Sequence, residues 1–319
     1  GENPIDAYAA LFRGAFDGEL RLGTTLAGFT PLLLTSIAFA VAAKAGAFNV
    51  GVEGEVFLGG ITAAYIGINW TFLPKPALYV ACFVGAMVVA AAWAFIPAIL
   101  RAYYNVNEVC TTILMNTVAL YITSYLVSGP MSAGTANAQS LPVTVRLYQF
   151  MKPSSVNVGI FIAAITVIVI IFMLQKSSWG YKIRTVGLNP THADYVGIDS
   201  KKVFVGAMML SGMLGGMAGC IEVLGVHGYF LNNFATGLGS NGMLAALIVK
   251  NNMVSTPFMA FFLAVLKSGA MGMQQSTGVP KSLVDTITAV FIIIATMETA
   301  FQFTKKRKKK TEEKKEDKA

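Results

Sequence analysis

Residues 156–174, VNVGIFIAAITVIVIIFML, decide the fold class of this chain. The stretch has no charged side chain, and a lysine stands on either side of it, at Lys152 and Lys176. A helix of about 20 apolar residues crosses the hydrocarbon core of a bilayer. The stretch therefore predicts a membrane-spanning helix, and runs of the same kind recur along most of the chain.

The composition of the whole chain agrees with that prediction. Of its 319 residues, 55% are hydrophobic and 13% are charged, and the mean hydropathy is +0.62. Soluble domains have about 25% charged residues. The last 15 residues alone carry 13 of the 40 charges, which leaves too few for a soluble surface elsewhere. These numbers exclude a soluble cytosolic enzyme, a disordered protein and a nucleic-acid binder, and most of the net charge of +8 belongs to a membrane-flanking tail.

The apolar runs predict an all-α, polytopic membrane protein with broken or half helices among its spans. We expect nine membrane segments, at residues 22–43, 50–70, 76–100, 109–128, 156–174, 203–224, 239–249, 255–273 and 282–303. The seventh is too short to span by itself. The expected organisation is a transmembrane domain at 1–303, with a cytoplasmic loop at 175–202 inside it, and a basic, disordered cytoplasmic tail at 304–319.

Lysine and arginine in the loops predict the orientation. With the tail in the cytoplasm, seventeen basic residues fall inside and six outside. Nine crossings then put the N-terminus outside. Because the chain starts without Met and without a signal peptide, we expect a further helix before Gly1, which makes ten segments in the intact protein.

Motifs for catalysis are missing from the sequence. It contains no GxxxxGK[ST] phosphate loop, no GxSxG and no HExxH, and its three cysteines lie far apart in apolar runs. We therefore expect no ATPase activity, no catalytic residue, no metal site and no cofactor in this chain.

Acidic side chains inside predicted spans are the first functional signal, because a carboxylate at bilayer depth costs several kcal/mol unless it is paired or faces water. Glu53, Glu55, Glu222 and Glu298 lie within spans, and Glu108 and Asp285 lie near span ends. Two interpretations remain open: a polar translocation path, or internal pairing that holds broken helices together. Lys267, in the eighth segment, favours an internal pair with Glu222 or Asp285, and we expect His227 at the outer interface.

Glycine-rich interruptions add to that signal. KAGAFNVGVEGE at residues 44–55 and GVHGYFLNNFATGLGSNG at residues 225–242 are typical of interrupted helices that line a cavity, although the second is also compatible with a plain external loop. Gly212, Gly215, Gly216 and Gly219 form overlapping GxxxG pairs, which predict close helix packing. We expect the substrate path to include Asn49, Glu53, Glu55, Asn107, Asn116, Glu222 and Asn241.

The loop SSWGYKIRTVGLNPTHADYVGIDSKK, residues 177–202, is basic and long for a connection between spans. Asn189 and Pro190 predict a helix start there, with a short helix at 191–196. Ala193, Val196 and Ile198 would form an apolar face that nothing in this chain covers. We interpret the loop as a docking element, with a lipid-headgroup contact as the alternative.

At several of these stretches the sequence resembles the permease subunits of ATP-binding-cassette importers. The resemblance is to the superfamily that moves branched-chain amino acids and simple sugars, and within it to the branch that serves nucleosides. The motifs are AYAALFRGAF at 7–16, FNVGVE at 48–53, NEVCTTILMN at 107–116, VGLNP at 186–190, EVLGVHG at 222–228 and GVPKSLVD at 278–285.

The resemblance implies partners and a mechanism. It implies a bacterial cytoplasmic membrane, a second permease of similar fold, two ATP-binding subunits that hold ATP and Mg, and an extracytoplasmic substrate-binding lipoprotein. It makes the docking loop the element that couples to the ATPase, through Arg184, Gly187, Leu188, Asn189, Pro190, Ala193 and Ile198. This chain departs from the family at Glu55, where an amide is usual.

We therefore expect half of the translocation pore of a nucleoside importer, driven by alternating access. Simple sugars or branched-chain amino acids are alternative substrates within the superfamily. An ion-coupled secondary transporter that uses Glu53, Glu55 and Glu222 as a proton relay is the alternative from another class. An intramembrane enzyme is disfavoured because no nucleophile and base share a helix face.

Overall fold

The computed structural model describes residues 4–277, Ser282 and Thr286, and over this part the chain is all-α. The helices are α1 (Pro4–Phe16), α2 (Gly18–Lys44), α3 (Val52–Asn69), α4 (Lys75–Tyr104), α5 (Glu108–Ser128), α6 (Gly159–Lys176), α7 (Ser178–Leu188), α8 (Pro190–Tyr195), α9 (Ser200–Ile221), α10 (Leu238–Ile248) and α11 (Thr256–Thr277). A π-helical turn, Glu222–His227, continues α9 without a break.

Six of these helices are long and apolar enough to cross a bilayer, and the chain is a multi-pass membrane protein. They are α2, α4, α5, α6, α11 and the continuous helix Ser200–His227. Helix α3 is long enough, but its mean hydropathy is lower than that of these six helices because Glu53, Glu55 and Asn69 lie within its 18 residues. Helix α10 has only 11 residues, as the short seventh segment predicts. Apart from Ser282 and Thr286, the ninth segment, 282–303, lies outside the described residues, as do the tail and the predicted positions Asp285 and Glu298.

Sequence reasoning missed helix α7 inside the predicted loop, and our segment assignment also missed helix α1. Asp6 and Arg13 lie within its 13 residues and interrupt the apolar run, so hydropathy does not mark it. It packs along α11, where a Cβ on Gly14 would come within 2.7 Å of the Gly269 carbonyl oxygen. A side chain at position 14 would collide with the backbone of α11, so the absence of one lets the two helices pack directly against each other.

Helix α9 lies at the centre of the bundle, against α2, α3 and α4. Its glycines face two neighbours: Gly212 and Gly216 contact α4, and Gly215 and Gly219 contact α3. The packing predicted from the GxxxG pairs is thus confirmed.

The outer helices differ from the central ones in exposure. Of the apolar window of α2, 78% is buried within the protein, whereas only 17% of the window of α5 is buried. Exposed apolar surface of this extent is stable in lipid or against another apolar surface and not in water, so α5 lies at the periphery of the bundle.

Two interruptions flank the centre. Residues 45–51 separate α2 from α3, with Gly46 in the left-handed region at φ 79°. Residues 228–237 separate the π-turn from α10.

A long connection at residues 129–158, which we call the cap segment, covers the second interruption. Ser140 N–H donates to the Phe230 carbonyl oxygen at 2.9 Å, and Phe230 N–H donates to Ser140 Oγ at 2.9 Å.

Candidate translocation site

A cavity of about 490 Å³ lies between α2, the π-turn, α10 and α11. Most of its wall is apolar, as at Leu32, Leu244 and Leu263. Its polar wall includes Thr24, Ser155, Glu222, His227, Asn241 and Lys267. Cavities of this size and character hold small organic ligands.

The π-turn supplies two of the polar groups. Glu222 Oε2 lies 3.6 Å from His227 Nε2, and the carboxylate side chain is almost fully buried. Lys267 lines the same cavity from α11. The basic side chain within 4.0 Å of the Glu222 carboxylate is His227, so the predicted pairing with Lys267 is not a direct contact in the described part of the chain.

Two predicted path residues, Glu222 and Asn241, therefore line one cavity although 19 positions separate them in sequence. Asn241 lies in the first turn of α10. This helix approaches α2 closely, because a Cβ on Gly242 would meet Thr35 Oγ1 at 2.4 Å. The short helix α10 thus presents its amide to the cavity from a position fixed by backbone packing.

Glu53 and Glu55 have different surroundings at the start of α3. Glu53 Oε2 accepts a hydrogen bond from Ser240 Oγ at 3.2 Å, which ties α3 to α10. Glu55 is buried; its Oε1 accepts from Asn49 Nδ2 at 2.9 Å, and its Oε2 has no hydrogen-bond partner. Neither carboxylate belongs to the cavity wall.

Asn49 and Asn116 hold the interruption between α2 and α3. Asn49 Nδ2 also donates to Ser211 Oγ of α9 at 2.9 Å, and Asn49 Oδ1 accepts from Gly51 N–H at 2.9 Å. Asn116 of α5 accepts from Gly54 N–H at 2.8 Å and donates to the Val50 carbonyl oxygen at 2.9 Å. These amides satisfy backbone groups that the broken helix leaves free.

Asn107 is the N-cap of α5. Its Oδ1 accepts from Val109 N–H at 2.9 Å and from Cys110 N–H at 3.3 Å. The side chain is exposed and lies away from the cavity. The neighbouring Glu108 forms an ion pair with Arg101, at 3.0 Å between Oε2 and Nε.

The predicted docking loop contains helices α7 and α8. Asn189 caps α8 by accepting from His192 N–H at 3.0 Å, and Pro190 is its first residue, which confirms the predicted helix start. Leu188 is 88% exposed, and Tyr195 and Val196 are also exposed.

The prediction that Ala193 and Ile198 are uncovered is wrong. Ala193 is 0% exposed, and Ile198 packs against the central core. Asp194 Oδ1 accepts from Ser200 N–H at 3.0 Å, which folds α8 back against the start of α9. That fold covers Ala193, and the exposed large apolar side chains of the loop are Tyr181, Leu188, Tyr195 and Val196.

The start of α9 is capped by Asp199. Its carboxylate accepts from Lys202 N–H at 3.0 Å and pairs with Lys202 Nζ at 2.9 Å. These hydrogen bonds, the backbone one first, hold the pKa of Asp199 below its usual range. The carboxylate is therefore charged at neutral pH, and it interacts favourably with the positive, N-terminal end of the helix dipole of α9.

Gly187 and Arg184 connect the loop to the spans. A Cβ on Gly187 would lie 2.0 Å from the Lys44 carbonyl oxygen, so α7 contacts the last turn of α2 backbone to backbone. Arg184 Nη1 donates to the Gln175 carbonyl oxygen at 3.3 Å at the end of α6.

The chain matches a family model described as branched-chain amino acid transport system / permease component, over residues 21–296. This chain belongs to that permease family. The match includes all but the first three residues of α2 and every helix from α3 to α11, and with them the cavity and the docking loop.

Three relatives of this permease cover most of its length. The guanosine ABC transporter permease protein of Bacillus subtilis is 33% identical over 97% of this chain and 90% of its own. The nucleoside ABC transporter permease protein NupB of Lactococcus lactis subsp. cremoris is 31% identical over 92% and 83%. The glucose ABC transporter permease protein of Haloferax volcanii is 32% identical over 91% and 80%.

The permease has cavity residues that sequence reasoning missed as path candidates, namely Thr24 and Ser155. His227, expected at the interface, is also in the wall. Thr24 and Ser155 carry no signal in the sequence, because single hydroxyl side chains occur throughout spans and loops. For His227 a signal existed: it stands five residues after Glu222 in a glycine-rich stretch, where a wide helical turn brings both side chains to one face.

Proposed function

We propose that this permease carries nucleosides across the cytoplasmic membrane of a bacterium as one half of the pore of an ABC importer. The cavity between α2, the π-turn, α10 and α11 carries this proposal. Nucleosides are neutral and amphipathic, so an apolar wall with a few hydrogen-bonding groups suits their transient passage. The two relatives named for guanosine and nucleosides support this substrate class.

Within the cavity we propose direct substrate contact for Glu222 and Asn241. A carboxylate accepts hydrogen bonds from ribose hydroxyl and base N–H groups, and an amide both donates and accepts. For Asn49, Glu53, Glu55 and Asn116 we propose an indirect role: they hold the helix interruptions beside the path. The hydrogen bonds of Asn49 with Glu55, of Asn116 with the Gly54 backbone and of Glu53 with Ser240 support that role. For Asn107 we propose only that it fixes the start of α5.

Coupling would occur at the other end of α2. Thr24 and Gly28 of α2 line the cavity, and Lys44 contacts Gly187 of α7. From Thr24 to Lys44 a helix rises about 30 Å. We propose that an ATP-binding subunit docks on Leu188 and Tyr195, with Arg184, Asn189 and Pro190 shaping the surface, and that its movement reaches the cavity along α2.

The remaining partners follow from the family. We propose a second permease of similar fold as the other half of the pore, two ATP-binding subunits that bind and hydrolyse ATP with Mg, and a binding lipoprotein on the outer side. Specificity would reside mainly in that lipoprotein. The tail at 304–319 would then lie in the cytoplasm with the docking loop.

The glucose relative favours a second candidate substrate class, simple sugars. A sugar would use the same hydrogen-bonding groups but would make less use of the apolar wall. Substrate-dependent ATP hydrolysis separates the two candidates.

The test is reconstitution of the purified complex in liposomes with the binding lipoprotein loaded by guanosine, glucose or leucine in turn. We expect ATP hydrolysis to rise with guanosine and not with the other two. Stimulation by glucose or leucine alone would move the assignment to another branch of the family. Uptake by this chain alone, driven by a proton gradient and abolished by an uncoupler, would replace the importer by a secondary transporter.

A further inference from the structure

The π-turn Glu222–His227 ends beneath the cap segment, and the cap segment supplies the hydrogen bonds that a helix end lacks. The last carbonyl groups of a helix have no partner within it. Here Leu147 N–H donates to the Leu224 carbonyl oxygen at 2.8 Å, and Gln149 Nε2 donates to that of Gly225 at 2.9 Å. Val143 N–H donates to the Gly228 carbonyl oxygen at 2.9 Å.

Arg146 donates hydrogen bonds to the two carbonyl groups between these, those of Val226 and His227. Its Nη2 lies 3.2 Å from the His227 carbonyl oxygen and 3.4 Å from that of Val226. Hydrogen bonds from a charged donor are stronger than those from a neutral donor. A cation at a helix C-terminus also interacts favourably with the negative end of the helix dipole. Five successive carbonyl groups, 224–228, are therefore held by residues 143–149.

Two further contacts fix Arg146 itself. Its own carbonyl oxygen accepts a hydrogen bond from the Tyr79 hydroxyl of α4 at 2.6 Å. Its guanidinium lies directly against Gly228, where a Cβ would come within 2.4 Å of Nε. Gly228 also has φ 77°, so a side chain at this position would both strain the backbone and displace the arginine.

The conformation held in this way decides what the cavity wall presents. Residues five apart lie on different faces of an α-helix with 3.6 residues per turn. The wider π-turn, closed by i to i+5 hydrogen bonds such as Gly228 N–H to the Val223 carbonyl oxygen at 2.8 Å, brings Glu222 and His227 together. The His227 ring also packs edge to face on Phe234, at 5.7 Å between centroids.

We propose that Arg146 is a positioning residue of the transport path: from the cap segment it holds the π-turn so that Glu222 and His227 stay together at the cavity wall. The inference rests on the proposed function for its role in transport. Its structural half, that Arg146 sets the conformation of the turn, is tested without any substrate.

The experiment measures thiol labelling in membrane vesicles that contain the full complex. A Val226→Cys reporter lies on the turn and a Leu244→Cys reporter lies on α10, and both line the cavity. Each is placed in a Cys110→Ser background, because Cys110 is exposed whereas Cys82 and Cys220 are buried. We expect R146A to change the labelling rate at position 226 about tenfold, as loss of a charge-assisted hydrogen bond permits, and to leave position 244 within about twofold.

Lys152→Ala is the matched control, because Lys152 is an exposed basic residue of the same cap segment. It should leave both labelling rates unchanged. The proposal is overturned if R146A leaves position 226 unchanged, if it changes both reporters alike through general loosening, or if Lys152→Ala has the same effect through long-range charge.

A transport measurement tests the functional half. With the substrate identified by the liposome assay, R146A should raise KM about tenfold while kcat changes less than about twofold. A fall in kcat at constant KM would contradict a positioning role. If no nucleoside is transported, the labelling result still stands or falls independently, so the two proposals fail separately.

Discussion

Glu55 has a buried carboxylate oxygen that no hydrogen-bond donor reaches. One carboxylate oxygen accepts from Asn49, and the other lies without a donor against the Gly215 face of α9. A buried carboxylate with one unpaired oxygen is costly, whereas an amide of the same shape is neutral.

We predict that Glu55→Gln retains transport and does not lower the melting temperature of the purified protein, because the Asn49 hydrogen bond survives. Glu55→Leu, of similar size, leaves the Asn49 amide without that acceptor and should cost about 1 to 3 kcal/mol. Thermal unfolding in detergent and uptake in vesicles measure the two effects. Normal folding with no uptake in Glu55→Gln would show that an ionisable group is needed and would favour a proton relay.

The residue scale also shows the limit of sequence reasoning about polar groups. Asn49, Asn107 and Asn241 stand near predicted span ends, Asn116 stands inside a predicted span, and composition does not distinguish their roles. In the structure three of them hold backbone groups and Asn241 faces the cavity. The difference depends on which helices lie opposite, and those helices are distant in sequence.

At the scale of helices, glycine determines how closely α9 approaches its neighbours. A Cβ on Gly216 would meet the Ala86 carbonyl oxygen at 2.4 Å, whereas a Cβ on Gly28 of α2 would meet nothing within 4 Å. Both residues lie within helices, so helix propensity alone favours alanine at each position.

We predict that Gly216→Ala destabilises the permease by about 1 to 3 kcal/mol, because α9 and α4 must separate to admit the methyl group. Gly28→Ala is the matched control and should leave stability unchanged or slightly improved. Thermal unfolding monitored by fluorescence gives the melting temperatures of the two variants, and we expect that of Gly216→Ala to be lower. Equal melting temperatures would contradict the close packing at the centre of the bundle.

The docking loop is the second feature at this scale. The sequence predicted its short helix correctly from Asn189 and Pro190, since capping depends on immediate neighbours. It did not predict which apolar residues are exposed. Ala193 is covered because α8 folds back on α9, a contact that the pattern within six residues does not contain.

We predict that Leu188→Ala weakens binding of the ATP-binding subunit about tenfold, because truncation of a central apolar contact typically costs more than 1 kcal/mol. Permease stability should not change, since Leu188 is exposed. Tyr104→Ala removes an exposed aromatic side chain from the end of α4 and serves as the control. Co-purification yields and titration in detergent measure both; equal affinities would argue against docking on this surface.

At the scale of the molecule, the cavity and the docking loop lie at opposite ends of α2. Ser155 of the cap segment lines the cavity, whereas Gly187 contacts Lys44. The predicted orientation puts the cap segment outside and the docking loop in the cytoplasm.

We predict that an impermeant maleimide labels Ala136→Cys in intact cells and labels Ser178→Cys only after permeabilisation, both in a Cys110→Ser background. Both positions are exposed, one in the cap segment and one at the start of α7. The reverse pattern would invert the orientation and with it the assignment of the ATPase surface.

Some properties of this permease are already contained in its linear sequence. Its class, most of its spans and the start of α8 follow from hydropathy and near neighbours, because a backbone in lipid must satisfy its own hydrogen bonds within each span. Helix α1, with charges inside a short apolar run, escaped that reasoning. Packing in three dimensions decided the rest: which acid faces the cavity, which amide holds a broken helix, and which apolar residue remains exposed. Glu222, Asn241 and Lys267 line the same cavity because three separate elements surround it, and no spacing along the chain predicts that arrangement.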